Sequence, residues 1–256
     1  MIICLSHQQF DVSGTDYFVG NDGDDSKDCA QSLCKTLQAR TIKVDVNFAN
    51  QFTVIIRDQT TISSSFELSQ TFPSPRTFTN NPDFASRMSD ILIQSYGQFI
   101  VTGNALFQMI AFTKLDQASF QNGGAINAQL TEQSSNLQIE TCIFDQCKAV
   151  SNGGALRLLI NYPKEITLKT AGVFNCEAQN EGGAFWCSVN NGAKLTLPEL
   201  WSFQDCKTLS DSGYGGAFYA QINGENSQLI FESFIMFERC SGQNGGGMCL
   251  LVQSGG

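Results

Sequence analysis

FDQCKAVSNGGAL, residues 144–156, holds the two motifs that decide the fold. The first is a phenylalanine followed by a cysteine, and the second is a glycine pair followed by alanine. The glycine motif returns at intervals of 30, 29, 33 and 30 residues. Its copies are Gly123-Gly124-Ala125, Gly153-Gly154-Ala155, Gly182-Gly183-Ala184, Gly215-Gly216-Ala217 and Gly245-Gly246-Gly247. A period in this range indicates a repeat architecture in which each unit buries one face against its neighbours.

The phenylalanine motif precedes each of the later glycine steps. Its copies are Phe144-x-x-Cys147, Phe174-x-Cys176, Phe203-x-x-Cys206 and Phe237-x-x-Cys240. Phenylalanines at equivalent positions are predicted to stack in the interior. The upstream pair Phe112 and Leu115 fits the same frame with leucine in the place of cysteine, so we expect that position to be buried and apolar. Regular repeats of about 30 residues therefore begin near residue 112.

The apolar pattern between the glycine steps is that of β-strands. Short alternation, as in Leu195-Thr196-Leu197, is typical of a strand, and no helical period appears. Three short strands and their turns give one turn of a parallel β-helix, whose coils stack about 4.8 Å apart. Glycine pairs suit its tight corners, which need a positive φ or a close backbone approach. We predict an all-β fold: one elongated right-handed parallel β-helix solenoid with the glycine steps aligned along one corner.

The first part of the chain, residues 1–50, is predicted to form an entry strand, a polar loop and a cap. Residues 34–44 have apolar side chains at spacings that suit a short amphipathic helix, although the end of this segment could equally be strand. An open β-helix end exposes unpaired backbone and must be covered, and this helix is the candidate cover. The β-helix coils are then expected over residues 51–256.

The motifs carry a resemblance to known β-helix proteins. The Gly-Gly-Ala-hydrophobic steps, together with Phe-x-x-Cys, resemble the polymorphic outer membrane protein repeats, which carry Gly-Gly-Ala-Ile and Phe-x-x-Asn. Residues 17–39 also resemble the opening of many pectin-lyase-like β-helix proteins, in which a strand, an Asn-Asp-Gly loop and a Lys-Thr-Leu/Ile-Gln helix begin the first coil. Cysteine where that family has asparagine suggests a cousin among the cysteine-containing β-helix surface proteins of eukaryotic microbes. The resemblance implies surface display and adhesion.

Composition and charge exclude several classes of partner. A net charge of −9 and a pI near 4.5 argue against nucleic acid and anionic membranes, which both need basic patches. The apolar runs are far shorter than the roughly 20 residues that cross a bilayer, so no direct membrane insertion is expected. Ten cysteines beside one histidine favour an oxidising compartment, and hence an extracellular or cell-surface location.

The acidic loop of residues 21–28 is the candidate site for a bound calcium ion. Its carboxylates could hold calcium, but their spacing is not that of an EF-hand, and a solvated turn is the preferred interpretation. Cys29 and Cys34 flank the end of this loop, and a disulfide between them would pin the loop to the cap. Zinc would need two further ligands that one histidine does not supply, so we predict no metal site and no other cofactor.

The later cysteines and aromatic residues have both structural and functional interpretations. A column of Cys147, Cys176, Cys206 and Cys240 could be a metal or redox site, but buried thiols or disulfides between coils are favoured. Cys142 and Cys147 are a lesser candidate for a disulfide. Four aromatic side chains could stack on sugars if exposed, although such residues more often fill the core edge. They are Trp186, Trp201, Tyr214 and Tyr219.

Catalysis on polysaccharides would need grouped carboxylates with lysine or arginine on one face of the helix. Counting back from each phenylalanine motif gives a single charged column. Its members are Glu140, Lys169, Glu199 and Glu232. A lysine between glutamates is typical of a solvated, charge-compensated ladder, so we predict no catalytic site and keep this column as the alternative.

These features favour a structural or adhesive β-helix module of a secreted or cell-surface protein, whose partners are protein subunits or surface glycans. The alternatives are a polysaccharide lyase or glycoside hydrolase and a non-catalytic glycan-binding module. After Gly245, nothing resembles a cap. We therefore expect either further coils or an abutting subunit in an elongated, filament-like assembly.

Overall fold

The computed structural model describes residues 15–39, 42, 52–69, 75–84, 87–116 and 120–253. These residues form 26 β-strands and a short 3-10 helix, η1 (Pro82–Phe84). The strands of the first half are β1 (Thr15–Val19), β2 (Phe52–Ile56), β3 (Gln59–Ile62), β4 (Ser65–Leu68), β5 (Arg76–Asn80), β6 (Ser89–Ile93), β7 (Gln98–Val101), β8 (Asn104–Gln108), β9 (Ile110–Lys114), β10 (Phe120–Asn122) and β11 (Ile126–Leu130).

The strands of the second half follow the repeats predicted from the glycine motif. They are β12 (Asn136–Glu140), β13 (Cys142–Asp145), β14 (Lys148–Asn152), β15 (Leu156–Ile160), β16 (Glu165–Thr167), β17 (Ala171–Phe174), β18 (Glu177–Ala178), β19 (Phe185–Asn190), β20 (Lys194–Leu197), β21 (Trp201–Gln204), β22 (Lys207–Thr208), β23 (Phe218–Asn223), β24 (Gln228–Phe231), β25 (Ile235–Glu238) and β26 (Met248–Gln253).

Three faces recur in every complete coil. Face A runs β1-β2-β5-β8-β12 and continues through a bridge between Ile139 and Leu168 into β16-β20-β24. Face B is the seven-stranded sheet β3-β6-β9-β13-β17-β21-β25, and face C is the seven-stranded sheet β4-β7-β11-β15-β19-β23-β26. A narrower strip, D, stacks β10, β14, β18 and β22 between faces B and C.

Every strand pair in these sheets is parallel. Each strand hydrogen-bonds to its equivalent one coil away, so equivalent side chains form columns about 4.8 Å apart. Along β2, β9, β11 and β15, buried residues alternate with half-buried ones, as expected for one face against the core. The predicted all-β parallel β-helix solenoid is confirmed; its handedness stays a prediction.

The glycine steps lie along one corner of this solenoid. Ala125 N donates to Ala155 O at 2.9 Å, and Ala155 N donates to Ala184 O at 2.8 Å. The first glycine of a step has a positive φ, 65° at Gly153, which a residue with a side chain adopts only with strain. The second glycine is needed for space, because a Cβ on Gly154 would lie 2.1 Å from the carbonyl oxygen of Gly183 in the next coil.

The inner aromatic column departs from the predicted set at one position. Phe144 pairs with Val173, which pairs with Phe203, and Phe203 pairs with Phe237. Phe174 is half-buried and faces outward, so its predicted place in the interior stack is wrong. The copy of the motif at Phe174 is one residue shorter, and the residue before it therefore takes the inner position. The phenylalanine rings stack where they are adjacent, with centroids 5.3 Å apart for Phe203 and Phe237.

Leu115, predicted to take the buried place of the cysteine in the coil of Phe112, is also a wrong prediction. Leu115 is 50% exposed, whereas Lys114 is 4% exposed and points inward at the end of β9. The Lys114 ammonium donates to Ser95 O at 2.6 Å and lies 3.1 Å from Asp116 Oδ1. The strand alternation thus continues unbroken from Phe112, and it turns Leu115 to the solvent.

The N-terminal end is covered by the segment after the disulfide, in which Ile42 of the predicted helix is helical and fully buried; the extent of that helix stays a prediction. Residues 34–39 form a bridge and turns, and residues 40, 41, 43 and 44 of the predicted helix lie outside the described residues. Cys34 N donates to Phe18 O at 2.9 Å, so the start of the segment is tied to β1 rather than to a helical turn. Leu37 and Ala39 are nevertheless buried against the first coil, as a cover requires.

Candidate functional site

The charged column proposed as the alternative catalytic site lies on and after the strands of face A. Lys169 Nζ is 2.7 Å from Glu140 Oε1, and Gln108 Nε2 donates to Glu140 Oε2 at 3.1 Å. Both oxygens of the Glu140 carboxylate are therefore engaged by neighbouring coils. The hydrogen bond with Glu140 raises the pKa of Lys169, with a further contribution from the negative charge of Glu199.

The other two members of the predicted column do not join this pair in one site. Glu199 accepts a hydrogen bond from the Thr170 hydroxyl. Leu197 pairs with Phe231, which sets Glu232 one residue beyond that pair, on the strand edge of the last coil. The structure therefore brings Glu140 and Lys169 into contact and leaves Glu199 and Glu232 at the ends of a dispersed ladder.

A shallow polar groove surrounds the Glu140–Lys169 pair. Its volume is ≈ 310 Å³, and its lining is Asn136, Gln138, Glu140, Glu165, Thr167 and Lys169. Amides, carboxylates, a hydroxyl and an ammonium of this kind can hydrogen-bond to the hydroxyl groups of a sugar. The pairing of Glu140 with a lysine is the arrangement of a compensated surface ladder, because the charge of each group neutralises the other.

A second charged ladder, which the sequence motifs did not predict, lies on strip D. Glu177 Oε1 is 2.9 Å from Lys148 Nζ, and Glu177 Oε2 is 3.3 Å from Lys207 Nζ, so one glutamate bridges lysines of the coils on both sides. Burial alone would raise the pKa of Glu177, but the hydrogen bonds from the two lysines outweigh it and lower the pKa. The cysteine motif could have revealed this ladder, because each of the three residues directly follows a cysteine.

A third ladder occupies the turn between face B and strip D. Asn175 Nδ2 donates to Asp145 Oδ1 at 2.9 Å, and Arg239 binds Asp205 through Nε at 2.7 Å and Nη2 at 2.8 Å. The hydrogen bonds of Arg239 lower the pKa of Asp205. The outer faces therefore carry side chains that satisfy one another along the stacking direction, rather than groups that converge on one point.

The cysteine column is a row of buried thiols. Cys147, Cys176 and Cys206 are buried, Cys240 is half-buried, and all four are free thiols in the structure. Each thiol donates to a carbonyl oxygen of the preceding coil, for example Cys206 Sγ to Val173 O at 3.5 Å.

Burial makes one thiol of the column and one thiol beside it weak acids. Burial raises the pKa of the Cys176 thiol well above its ordinary value and raises that of Cys142 to about 12. Metal binding and nucleophilic chemistry both require the thiolate, which this environment disfavours.

The acidic loop uses its carboxylates to hold its own backbone. Asp25 Oδ1 accepts hydrogen bonds from Lys35 N at 2.7 Å and Thr36 N at 2.8 Å. Asp24 Oδ1 accepts from Ser26 N at 2.9 Å, and Asp28 accepts from a backbone amide two residues further on. The predicted disulfide between Cys29 and Cys34 is present and closes the loop beside β1. Calcium binding by residues 21–28 stays a prediction.

The four candidate sugar-stacking residues divide into an inner one and an outer group. Trp201 is buried in the core against Phe185. Trp186 and Tyr219 belong to an outward column of face C, in which Arg157 lies over the indole at 4.8 Å and Tyr219 stacks on its other side at 6.5 Å. The faces of the Trp186 ring are thus covered by its own column, and of the four residues only Tyr214 is exposed.

Two further classes of feature are not found in the described ranges. No three histidine, cysteine, aspartate or glutamate side chains are grouped there so that they could hold a metal ion. No helix in those ranges has the length and apolar character that crossing a membrane requires. Comparison with protein families, with curated proteins and with solved structures finds no match to this chain.

Proposed function

We propose that this chain is a structural and adhesive module of a secreted or cell-surface protein and works as part of a larger protein or assembly. The observation that supports this proposal most directly is the direction of the charged contacts. Glu177 with its two lysines, Glu140 with Lys169, and Asp205 with Arg239 all link neighbouring coils.

Ladders of this kind suit a display surface better than an active site. Catalysis requires groups whose charges are left uncompensated and aimed at one reacting atom. A solenoid with compensated ladders instead offers long, regular faces on which many weak contacts can act together. The proposed partners are protein subunits or surface glycans.

The proposal includes a relationship to the polymorphic outer membrane protein repeats and to pectin-lyase-like β-helix proteins. The glycine steps support it, because they match the Gly-Gly-Ala motif of those repeats in sequence. The thiol column supports it too: each cysteine hydrogen-bonds to the coil below, as an asparagine at that position could.

The proposed extracellular or cell-surface location is supported by the disulfide between Cys29 and Cys34. The high cysteine content of the chain is weaker support for this location. Cys147, Cys176 and Cys206 are core residues of a column, and their presence follows from the repeat rather than from the compartment. The proposed module needs no cofactor.

The test of the adhesive role is a binding measurement with the intact chain. Beads coated with the chain are mixed with cells and with immobilised glycans, and beads coated with a denatured, reduced sample serve as the control. Retention of the folded chain alone supports the proposal. Equal retention of both samples, or of neither, contradicts it.

A carbohydrate-active role is the second candidate, and the polar groove around Glu140 and Lys169 is the observation that favours it. In a polysaccharide lyase or glycoside hydrolase, Glu140 or Glu199 would act as the carboxylate, while a non-catalytic module would bind glycan in the groove. A depolymerisation screen separates these roles. Turnover that is lost in Glu140→Gln or Glu199→Gln, and kept in the control Glu132→Gln, would make the adhesive role secondary.

A further inference from the structure

A polar cleft lies at the corner between faces A and B, in the first coils of the solenoid. Its volume is ≈ 570 Å³, against ≈ 310 Å³ for the groove around Glu140 and Lys169. Three segments line it: the loop after β1, the turn between β2 and β3, and the segment that leads into β6. A cavity of this size is typical of small-ligand sites. The side chains in its lining include Asn21, Arg57, Asp58, Gln59, Arg87 and Asp90.

The backbone around the cleft fixes the position of Asp58. Asp58 Oδ1 accepts hydrogen bonds from Asn21 N at 3.0 Å and from Gln59 N at 2.6 Å. The loop that carries Asn21 is tied to the disulfide, because Gly20 N donates to Cys34 O at 2.8 Å. The second oxygen, Oδ2, accepts no hydrogen bond from the residues that the structure describes. Asp58 is thus held by one oxygen and presents the other.

Asp90 brings a second carboxylate to the cleft from the next coil. Asp90 N donates to Asp58 O at 2.9 Å, so the two residues lie on neighbouring strands. The Asp90 side chain is half-buried, and within the described ranges its carboxylate has no hydrogen-bond donor or cationic partner. Burial raises the pKa of Asp90, and the negative charge of Asp58 raises it further. Neighbouring like charges of this kind destabilise a sheet.

The cleft differs in this respect from the charged ladders of the later coils. Glu140, Glu177 and Asp205 each contact a cation of an adjacent coil.

In the cleft, the guanidinium of Arg87 is exposed and pairs with no carboxylate of the described part of the chain. Arg57 lies 3.7 Å from Asp22, in an ion pair whose side chains are both more than half exposed. A half-buried carboxylate beside a like charge in a cleft is typical of a functional site. The cleft therefore leaves charged groups available to a ligand.

The balance of these groups indicates a neutral ligand with hydroxyl groups. Two guanidinium groups and two carboxylates line the cleft, so neither a polyanion nor a polycation is favoured. Ionised carboxylates only accept hydrogen bonds and guanidinium groups only donate them, whereas a hydroxyl does both. Adjacent hydroxyl groups of a sugar ring can therefore satisfy Asp90 and Arg87 together. A metal ion is a poorer match, because no group of three potential ligands is found among the described residues.

We propose that the cleft formed by Asp58, Arg87 and Asp90 binds a neutral glycan, of which about one or two sugar rings enter the cavity. Sugar hydroxyl groups donate to Asp58 Oδ2 and to the Asp90 carboxylate, and they accept from Arg57 and Arg87. This inference rests on the proposed adhesive function and deepens it. It names the class of glycan and assigns it to the cleft, not to the groove around Glu140.

The test applies the intact chain to an array of hexasaccharides. Neutral oligomers of glucose, mannose, galactose and xylose are compared with oligogalacturonate, which is anionic, and with oligomers of chitosan, which are cationic. Titration calorimetry then gives Kd for each neutral oligomer that is retained. Asp90→Ala and Arg87→Ala are each expected to raise that Kd at least about tenfold, because each removes charge-assisted hydrogen bonds to the sugar.

Two controls separate loss of the site from loss of the fold. Both cleft variants should keep the urea midpoint of the original chain, since neither side chain has a hydrogen bond or ion pair to lose among the described residues. Glu140→Ala in the smaller groove and Glu132→Ala at an exposed position should leave Kd unchanged.

Four outcomes would overturn the proposal. No neutral hexasaccharide binds; a charged oligomer binds more tightly than every neutral one; Kd is unchanged in both cleft variants; or Glu140→Ala raises Kd as much as they do. Retention of the original chain on cells tests the adhesive role separately. Retention on cells without binding to neutral hexasaccharides sinks the cleft alone, whereas loss of both sinks the adhesive role as well.

Discussion

Leu115 and Cys147 both follow an inner phenylalanine by three residues, yet Leu115 faces the solvent and Cys147 faces the core. The difference lies in the backbone conformation of the residue that directly precedes Cys147. Gln146 has a φ of 55°, and this left-handed residue interrupts the strand alternation so that the next side chain turns inward. Asn175, Asp205 and Arg239 precede the other cysteines of the column with φ values of 54°, 54° and 50°. A left-handed residue therefore creates each position of the thiol column.

Valine at position 146 is expected to destabilise the solenoid. A β-branched residue fits the left-handed region poorly, so Gln146→Val should lower the free energy of unfolding by about 1 kcal/mol. Gln146→Gly, which removes the strain, should leave it unchanged or raise it by about 0.5 kcal/mol. Urea unfolding followed by circular dichroism measures both values.

Gln129→Val is the matched control, because Gln129 lies in β11 with strand geometry and is half-buried. Valine is favoured in strands, and this variant should therefore be at least as stable as the original chain. Equal losses at positions 146 and 129 would mean that the left-handed turn does not set the direction of Cys147.

The thiols are expected to react in the order of their burial. In a Cys4→Ser background, alkylation at pH 8 should modify Cys240 and Cys249 first, since these two are half-buried. Cys147, Cys176 and Cys206 should react only as fast as the chain unfolds, because burial shields them from the reagent. Mass spectrometry of quenched samples gives the modified sites.

Denaturant provides the control for this experiment, since all seven free thiols should be modified once the chain is unfolded. Rapid native modification of Cys176 would contradict the buried column. Mass loss corresponding to a disulfide between Cys206 and Cys240 would instead favour linked coils over free thiols.

The strip D ladder is expected to contribute to stability above acidic pH. The pKa of Glu177 is lower in the folded chain than its ordinary value of 4.5, so its ion pairs stabilise the fold fully above that value. The contribution is lost as the pH falls through the lowered pKa. Since the side chains are partly exposed, Glu177→Gln should cost only about 0.5 kcal/mol at pH 7.

The pH dependence separates this ladder from a packing effect. The difference in unfolding free energy between the original chain and Glu177→Gln should shrink steadily below pH 4. The control Glu132→Gln changes an exposed glutamate for which the structure gives no ion pair within the described residues. A difference for Glu177→Gln that is the same at pH 3 and pH 7 would rule out the ladder as its cause.

The glycine steps were sufficient to predict the architecture, because a second glycine in each step is required wherever coils approach within van der Waals contact. The exact inner residues could not be read from the cysteine motif alone. Val173 replaces Phe174 in the column because the distance to the left-handed residue, and not the position of phenylalanine, fixes which side chain points inward. The left-handed conformation could not be predicted from residue type, because Asn, Asp, Gln and Arg all occupy the position before the cysteine.

The candidate site was predictable only in part for a similar reason. Counting back from the phenylalanine motif predicted the contact of Glu140 with Lys169 correctly, since both residues occupy the same position in successive coils. Glu199 bonds to Thr170 instead of Lys169, because the turn before β21 is one residue longer than the equivalent turn of the preceding coil. The contact of Glu177 with Lys148 and Lys207 needs three coils in register, and it becomes apparent only when the strip D strands are stacked.

The disulfide between Cys29 and Cys34 is expected to hold the cover of the first coil in place. Its loop is short, so the double variant Cys29→Ala and Cys34→Ala should lower the free energy of unfolding by about 2 kcal/mol. The loss of stability should be largest around β1, because Cys34 N donates to Phe18 O and Gly20 N donates to Cys34 O. Exchange of the amides of β1 should therefore accelerate more than exchange at β15, which lies several coils away.

The control is Cys187→Ala, which removes a buried thiol from face C and should leave β1 unaffected. If both strands accelerate equally in the double variant, the disulfide stabilises the whole solenoid through the unfolded chain, and the cover does not depend on it.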